Sequence, residues 1–166
     1  ERQNLFEEEE SIKKSLAEFL KKHQKTFHRL GDYVFDGRSE KSWLKVFQAC
    51  QKSDETAVIM LGISRELLQE IRHLVVRLLY LSTEVQWHNR LMGFSDNLRL
   101  LYKTYNEKRY YNYEDHDYYP LLLMEYVKDI RLSKKQVELY TYMINRKEKG
   151  WLREAVMGSG KTTIIP

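Results

Sequence analysis

The stretch LLQEIRHLVVRLLYL, residues 67–81, decides the fold. Leu67, Ile71, Leu74, Leu78 and Leu81 recur at spacings of 4, 3, 4 and 3, which puts them on one face of a helix. Leu68, Val75 and Leu79 widen that face, so water wets little of the helix. The pattern lasts about two heptads, short of the three or four that a coiled coil needs, and it predicts a central core helix. That helix can run on past Ser82 through Val85 and Leu91 to Gly93.

Working outward, the same period predicts helices on both sides. Ile12, Leu16, Phe19, His23, Phe27 and Leu30 form one apolar stripe on a helix from about Leu5 to Leu30. His23 on that stripe reads as a packed, hydrogen-bonded side chain rather than a ligand. The Glu7–Glu10 run would lie in the first turns, solvated and favoured by the helix dipole. After Gly31-Asp32 and Asp36-Gly37, Ser39 can cap a helix from about Glu40 to Lys52, with Trp43, Val46, Phe47 and Cys50 on one side. Ser95 or Asp96 can cap another from about 97 to 108. Pro120 suits the first position of a helix over 121–129, with Leu123 and Val127 turned inward. Ser133-Lys134-Lys135-Gln136 has the form of a capping box, opening a helix to about Lys147 that Gly150 stops.

Composition agrees. The 166 residues include 7 Gly and 2 Pro, neither Pro before position 120, with 42% hydrophobic and 31% charged residues. Disordered, collagen-like and all-β chains are excluded, and no apolar run approaches the length of a membrane helix. The fold class expected is all-α, an irregular multi-helix bundle with a C-terminal tail. Residues 1–10 carry one Arg and five Glu, net −4, so the other 156 carry +8 of an overall +4. That scattered excess permits an acidic partner without demanding one. Cys50, the single cysteine, excludes an intrachain disulfide and suits a reducing, cytoplasmic compartment, with nuclear or host-cell delivery left open. On an apolar helix face it reads as an inert thiol, with no Cys-His pair apparent nearby.

Residues 102–119 hold seven of the twelve Tyr, interleaved with Lys103, Lys108 and Arg109. Aromatic and basic residues together can bind single-stranded nucleic acid. Glu114, Asp115 and Asp117 in the same stretch would repel phosphate, which favours packing on the domain or on a neighbour. His116 between Asp115 and Asp117 matches no specific metal-ligand spacing.

The last twelve residues differ in kind. Ala155-Val156-Met157-Gly158-Ser159-Gly160-Lys161-Thr162 fits a phosphate-binding loop, followed by Thr163. Gly158 and Gly160 would let backbone N–H groups around Ser159 wrap a triphosphate. Lys161 would reach the β- and γ-phosphates of ATP, and Thr162 would ligate Mg²⁺. A chance Gly-Ser-Gly turn before a lysine is the bland alternative.

This pattern, Ala-x-x-Gly-x-Gly-Lys-Thr, is similar to motif I of superfamily-two helicases and related motors. Gln136 lies 25 residues before Lys161, close to where the helicase Q motif places its adenine-reading Gln. That Gln also opens a helix, so the cap and the adenine contact read as compatible. More closely, residues 119–166 resemble the motif-I region of very large, mostly uncharacterised proteins of fungi, other eukaryotes and some intracellular bacteria. Pro120 to Glu125, Arg131 with Gln136, and Met157 to Pro166 carry the resemblance. It departs at Ser159, where those proteins usually have Glu, and in a looser Arg131–Gln136 spacing. Residues 1–118 carry no resemblance.

The resemblance implies a helicase-like P-loop ATPase within a giant multidomain protein. The organisation expected is a helical domain over 1–118, a helical lead-in over 119–150 and the start of a P-loop domain over 151–166. The chain starts at Glu1 without a leader and ends four residues past Thr162, so it reads as a piece of something longer. Without the acidic strand that completes the Mg²⁺ site, it is expected neither to hydrolyse ATP nor to bind it tightly. The partner expected is the motor core of the same protein, working on nucleic acid or polypeptide, with no membrane. A helical interaction or scaffold module is the alternative.

Overall fold

The computed structural model describes residues 2–22 and 40–145, and among them the fold is all-α. The chain divides into two compact units, Glu1–His88 and Asn89–Pro166, with the boundary inside one long helix.

In the first unit, α1 spans Arg2–Lys22, α2 Glu40–Cys50 and α3 Asp54–Leu61, and α4, Arg65–Gly93, contributes its residues up to His88. The apolar sides of these helices meet in a dry core, where Leu16, Phe47, Leu61, Leu68, Ile71 and Leu79 have no exposed surface. The α4 face sits slightly round from the predicted row, since Leu67 and Leu74 are only half-buried while Val76 is buried. The extension of α4 to Gly93 matches the expectation.

The Glu7–Glu10 run is solvated only in part, with Glu7 and Glu10 exposed, and it is not the helix start. The helix begins at Arg2, so its first turn holds no acid and the run falls further along. Glu8 pairs with Arg77 of α4, and its Oε1 accepts from Arg77 Nε at 3.2 Å. Glu9 is buried and accepts from the Ser82 hydroxyl at 2.7 Å, with Lys13 at 3.2 Å. Two of the four acids therefore hold α1 against α4.

No element was expected over 53–64, yet α3 occupies most of it. Ser53 Oγ accepts from Thr56 N–H at 3.4 Å, and Gly62 ends the helix at φ 67, its N–H bonded to Val58 C=O at 2.8 Å. Left-handed backbone of this kind costs glycine nothing, which is why the chain can turn directly into α4. Ser64 then caps α4, accepting from Leu67 N–H at 3.3 Å. The helix escapes a periodicity reading because its apolar residues, Ala57 to Leu61, are contiguous. Ala57 and Leu61 are buried, whereas Ile59 and Met60 are exposed.

In the second unit, α5 spans Leu98–Tyr105, α6 Tyr119–Lys128 and α7 Lys134–Asn145, with a 3-10 turn at His116–Tyr118 before α6. Asn97 caps α5, in place of Ser95 or Asp96, through its Oδ1 and the Leu100 N–H at 3.1 Å. Pro120 stands at the start of α6, as expected. The inward face of α6 is not the expected one. Val127 is exposed and Leu123 half-buried, while Leu121, Leu122 and Glu125 are fully buried. The core of this unit is Leu121, Leu132 and Val137, ringed by Tyr111, Tyr118, Met124 and Tyr140. Thus Tyr-rich residues 102–119 in part pack on the domain, with ring centroids of Tyr111 and Tyr118 5.7 Å apart.

His23, Phe27, Leu30, the Gly31–Ser39 turns and cap, the Trp43 side chain, Lys147 and Gly150 lie outside the described residues. No described helix is long and apolar enough to cross a membrane.

Candidate functional site

Of the candidate nucleotide residues, Gly158, Ser159, Gly160, Lys161, Thr162 and Thr163 lie outside the described residues. Gln136 lies within them, in the first turn of α7, and the geometry around it can be built up from the chain.

The support begins with Glu125, fully buried on α6. Its Oε2 accepts from Arg109 Nε at 3.0 Å and from Arg109 Nη2 at 2.9 Å, and Arg131 Nη1 stands 3.9 Å away. The other oxygen accepts from the backbone N–H of Leu132 at 3.0 Å. A buried carboxylate needs such a donor set, because desolvation of an unpaired charge costs several kcal/mol. The Tyr111 hydroxyl is buried beside this cluster, and the Arg109 guanidinium lies 5.7 Å from its ring centre. Burial, helped by the Glu125 charge, raises the Tyr111 phenol well above its ordinary pKa, so it stays protonated.

Glu125 also fixes the turn between α6 and α7. Asp129 ends α6 in left-handed backbone at φ 49, and Ile130 N–H returns to Glu125 C=O at 3.2 Å. With Leu132 N–H held by the carboxylate, the turn delivers Ser133 to the start of α7. There the capping box forms as expected: Gln136 N–H donates to Ser133 Oγ at 3.4 Å, and Ser133 N–H donates to Gln136 Oε1 at 2.9 Å. The Ser133 hydroxyl donates to the same Oε1, also at 2.9 Å.

This geometry alters one expectation. A Gln reading adenine uses its carbonyl oxygen and its amide N–H₂ as a pair. Gln136 Oε1 already accepts two hydrogen bonds, which occupy both of its lone pairs. The cap and a bidentate adenine contact therefore compete, and the Ser133 hydroxyl would have to rotate away first.

Beside this helix start lies an open groove of about 270 Å³, lined by Tyr110, Tyr118, Lys134, Val137, Glu138 and Thr141. Tyr118 and Thr141 hydroxyls are 3.3 Å apart, and the Tyr140 hydroxyl donates to Asp117 C=O at 2.9 Å. Burial, then the nearby Asp117 charge, raises the Tyr140 pKa. Lys134 and Glu138 form an exposed pair at 3.8 Å across one helical turn. The groove offers an aromatic wall, hydroxyls and one charge of each sign.

The remaining candidates take structural places. His116 is exposed, its ring 5.1 Å from that of Tyr119, and no group of three or more potential metal ligands occurs among the described residues. Cys50 is fully buried, and burial pushes its thiol up to about 12 against the opposing pull of Arg72. Sequence reasoning misses Arg109 as the partner of Glu125, since the two stand 16 residues apart with no periodic relation. Comparison with protein-family models, with curated proteins and with solved structures finds no match to this chain.

Proposed function

We propose that these 166 residues belong to a helicase-like ATP-binding motor, in which the all-α described residues precede a phosphate-binding loop at Ala155–Thr162. The observation that carries this reading is the AVMGSGKT sequence at 155–162, with both Gly, the Lys and the Thr in register. In this reading backbone N–H groups from Gly158 to Gly160 enclose the phosphates, Lys161 neutralises the β- and γ-groups, and Thr162 takes Mg²⁺. Hydrolysis further requires a carboxylate on a neighbouring strand, supplied by another part of the motor. Nucleic acid or polypeptide is the substrate such a motor would work on.

Gln136 and the groove beside it fit the base end of the nucleotide. The capping box holds Gln136 in one rotamer, and releasing Oε1 from the Ser133 hydroxyl would return one acceptor position for the base. Glu125 stands behind this arrangement as a positioning residue, through Leu132 and the turn that leads to Ser133.

Photolabelling with 8-azido-ATP and Mg²⁺ at millimolar concentration tests the reading on the 166-residue chain. Labelling should be competed by ATP and lost in Lys161→Ala, while Gln136→Ala should weaken the preference for ATP over GTP. Labelling that ATP competes but that is indifferent to Lys161→Ala would overturn it.

A further inference from the structure

The second unit carries an apolar row that faces outward. Leu98, Tyr102 and Tyr105 follow one another on α5 at spacings of four and three, which aligns them on one side of the helix. They are 78%, 74% and 69% exposed, while the helix is anchored away from this row through buried Thr104. An eight-residue helix with its largest apolar groups in water has two amphipathic faces, only one of them used by its own unit.

Charge decides what fits the other. Arg99 and Lys103 each come one residue after a member of the row, about 100° further round the helix, and so form a cationic edge beside it. Lys108 lies just beyond the helix end. Arg99 and Lys103 are exposed, and none of the three cations forms an ion pair among the described residues. The acid nearest to Lys108 in sequence, Glu107, is engaged by Arg90 at 3.6 Å. Among the described residues, that leaves Asp96, just before the helix, as the exposed acid closest to the row in sequence.

We propose that this face of α5 is a docking surface for a partner helix that presents an apolar row with an acidic edge. Apolar anchors at i, i+4 and i+7 fit a helix partner, and Tyr is a preferred interface anchor because its ring is large, rigid and tolerant of water. A second copy of the chain is disfavoured: α5 holds no acid to answer the Arg99–Lys103 edge, and an antiparallel pair about a two-fold axis would bring that edge against itself. A single-stranded nucleic acid would use the Tyr rings and the cations, but it gains nothing from Leu98, the most exposed of the row. The inference stands apart from the nucleotide reading and needs none of residues 155–162.

Fluorescence anisotropy with the 166-residue chain and three labelled probes tests it. The probes are a synthetic amphipathic helix with Leu at i, i+4, i+7 and i+11 and a Glu edge, the same peptide with a Lys edge, and an oligo-dT of about 20 nucleotides. The Glu-edged peptide should bind at least about tenfold more tightly than the Lys-edged one, a difference of about 1.4 kcal/mol. Tyr102→Ser with Tyr105→Ser should weaken it by a similar factor without changing the far-ultraviolet dichroism, because both rings are exposed. Arg99→Glu with Lys103→Glu should reverse the preference between the peptides. Equal binding of the two peptides, no binding of either, or Tyr-dependent binding of oligo-dT tighter than of the Glu-edged peptide would overturn the proposal. So would self-association abolished by the Tyr variants.

Discussion

Replacing Glu125 by Ala tests how the second unit is held together. The side chain has no exposed surface, and its two partners are almost as buried, Arg109 at 9% and Arg131 at 6% side-chain exposure. Removing the carboxylate deletes two hydrogen bonds from Arg109 and one from Leu132 N–H, and takes the negative charge from beside two buried cations. Breaking a buried pair in this way costs about 3–5 kcal/mol. An orphaned backbone N–H adds about 1 kcal/mol or more. Glu125→Gln keeps an acceptor for Leu132 N–H but turns amide N–H₂ donors toward Arg109, losing the charge and the Arg109 hydrogen bonds, so it should fall between wild type and Glu125→Ala. Ten of the twelve Tyr lie in residues 89–166, so near-ultraviolet dichroism during a urea titration reports mainly on this unit. With a urea slope of about 1–3 kcal/mol per molar, the Glu125→Ala midpoint should fall by at least about 1 M. A midpoint within about 0.3 M of wild type would refute the reasoning that this carboxylate anchors α6 and the start of α7.

Two further predictions concern burial. Leu122→Ala should cost about 2–5 kcal/mol, as for other fully buried leucines, while Val127→Ser should stay within about 0.5 kcal/mol. Thermal or urea unfolding of the pair checks the observed orientation of α6, and equal costs would contradict it. Cys50 should resist Ellman's reagent in the native chain at a pH of about 8 and react as one equivalent in urea; rapid native reaction would show that the thiol is not sealed. Its pKa is raised from 9.0 to about 12 on folding, so the folded chain keeps a proton that the unfolded chain loses. Stability should therefore fall as pH rises from about 9 towards 12, and Cys50→Ala should flatten that slope.

Periodic burial is legible in the sequence, and so is local capping. The 67–81 pattern locates α4, and Ser133 with Gln136 announces the start of α7, because both signals lie within a few residues of the groups they organise. What stays hidden depends on partners distant in the chain. Glu9 looks like part of a solvated run until Ser82, 73 residues on, donates to it. The inward face of α6 is set by Glu125, which a hydrophobicity pattern assigns to solvent and which Arg109 and Leu132 draw into the core. Short α3 escapes notice because a contiguous apolar run of five has no helical period. In the candidate site, the sequence points to Gln136 as both cap and adenine contact, and only the hydrogen bonds reveal that the two uses compete for one oxygen.

Steady-state ATP hydrolysis by the protein that carries residues 155–162, with Lys161 and with Lys161→Ala, tests the central proposal most directly. A phosphate-binding lysine acts on charge that develops in the transition state, so its removal should reduce turnover by at least roughly 100-fold. ATP turnover unchanged by Lys161→Ala would contradict the assignment of Ala155–Thr162 as a nucleotide-binding loop.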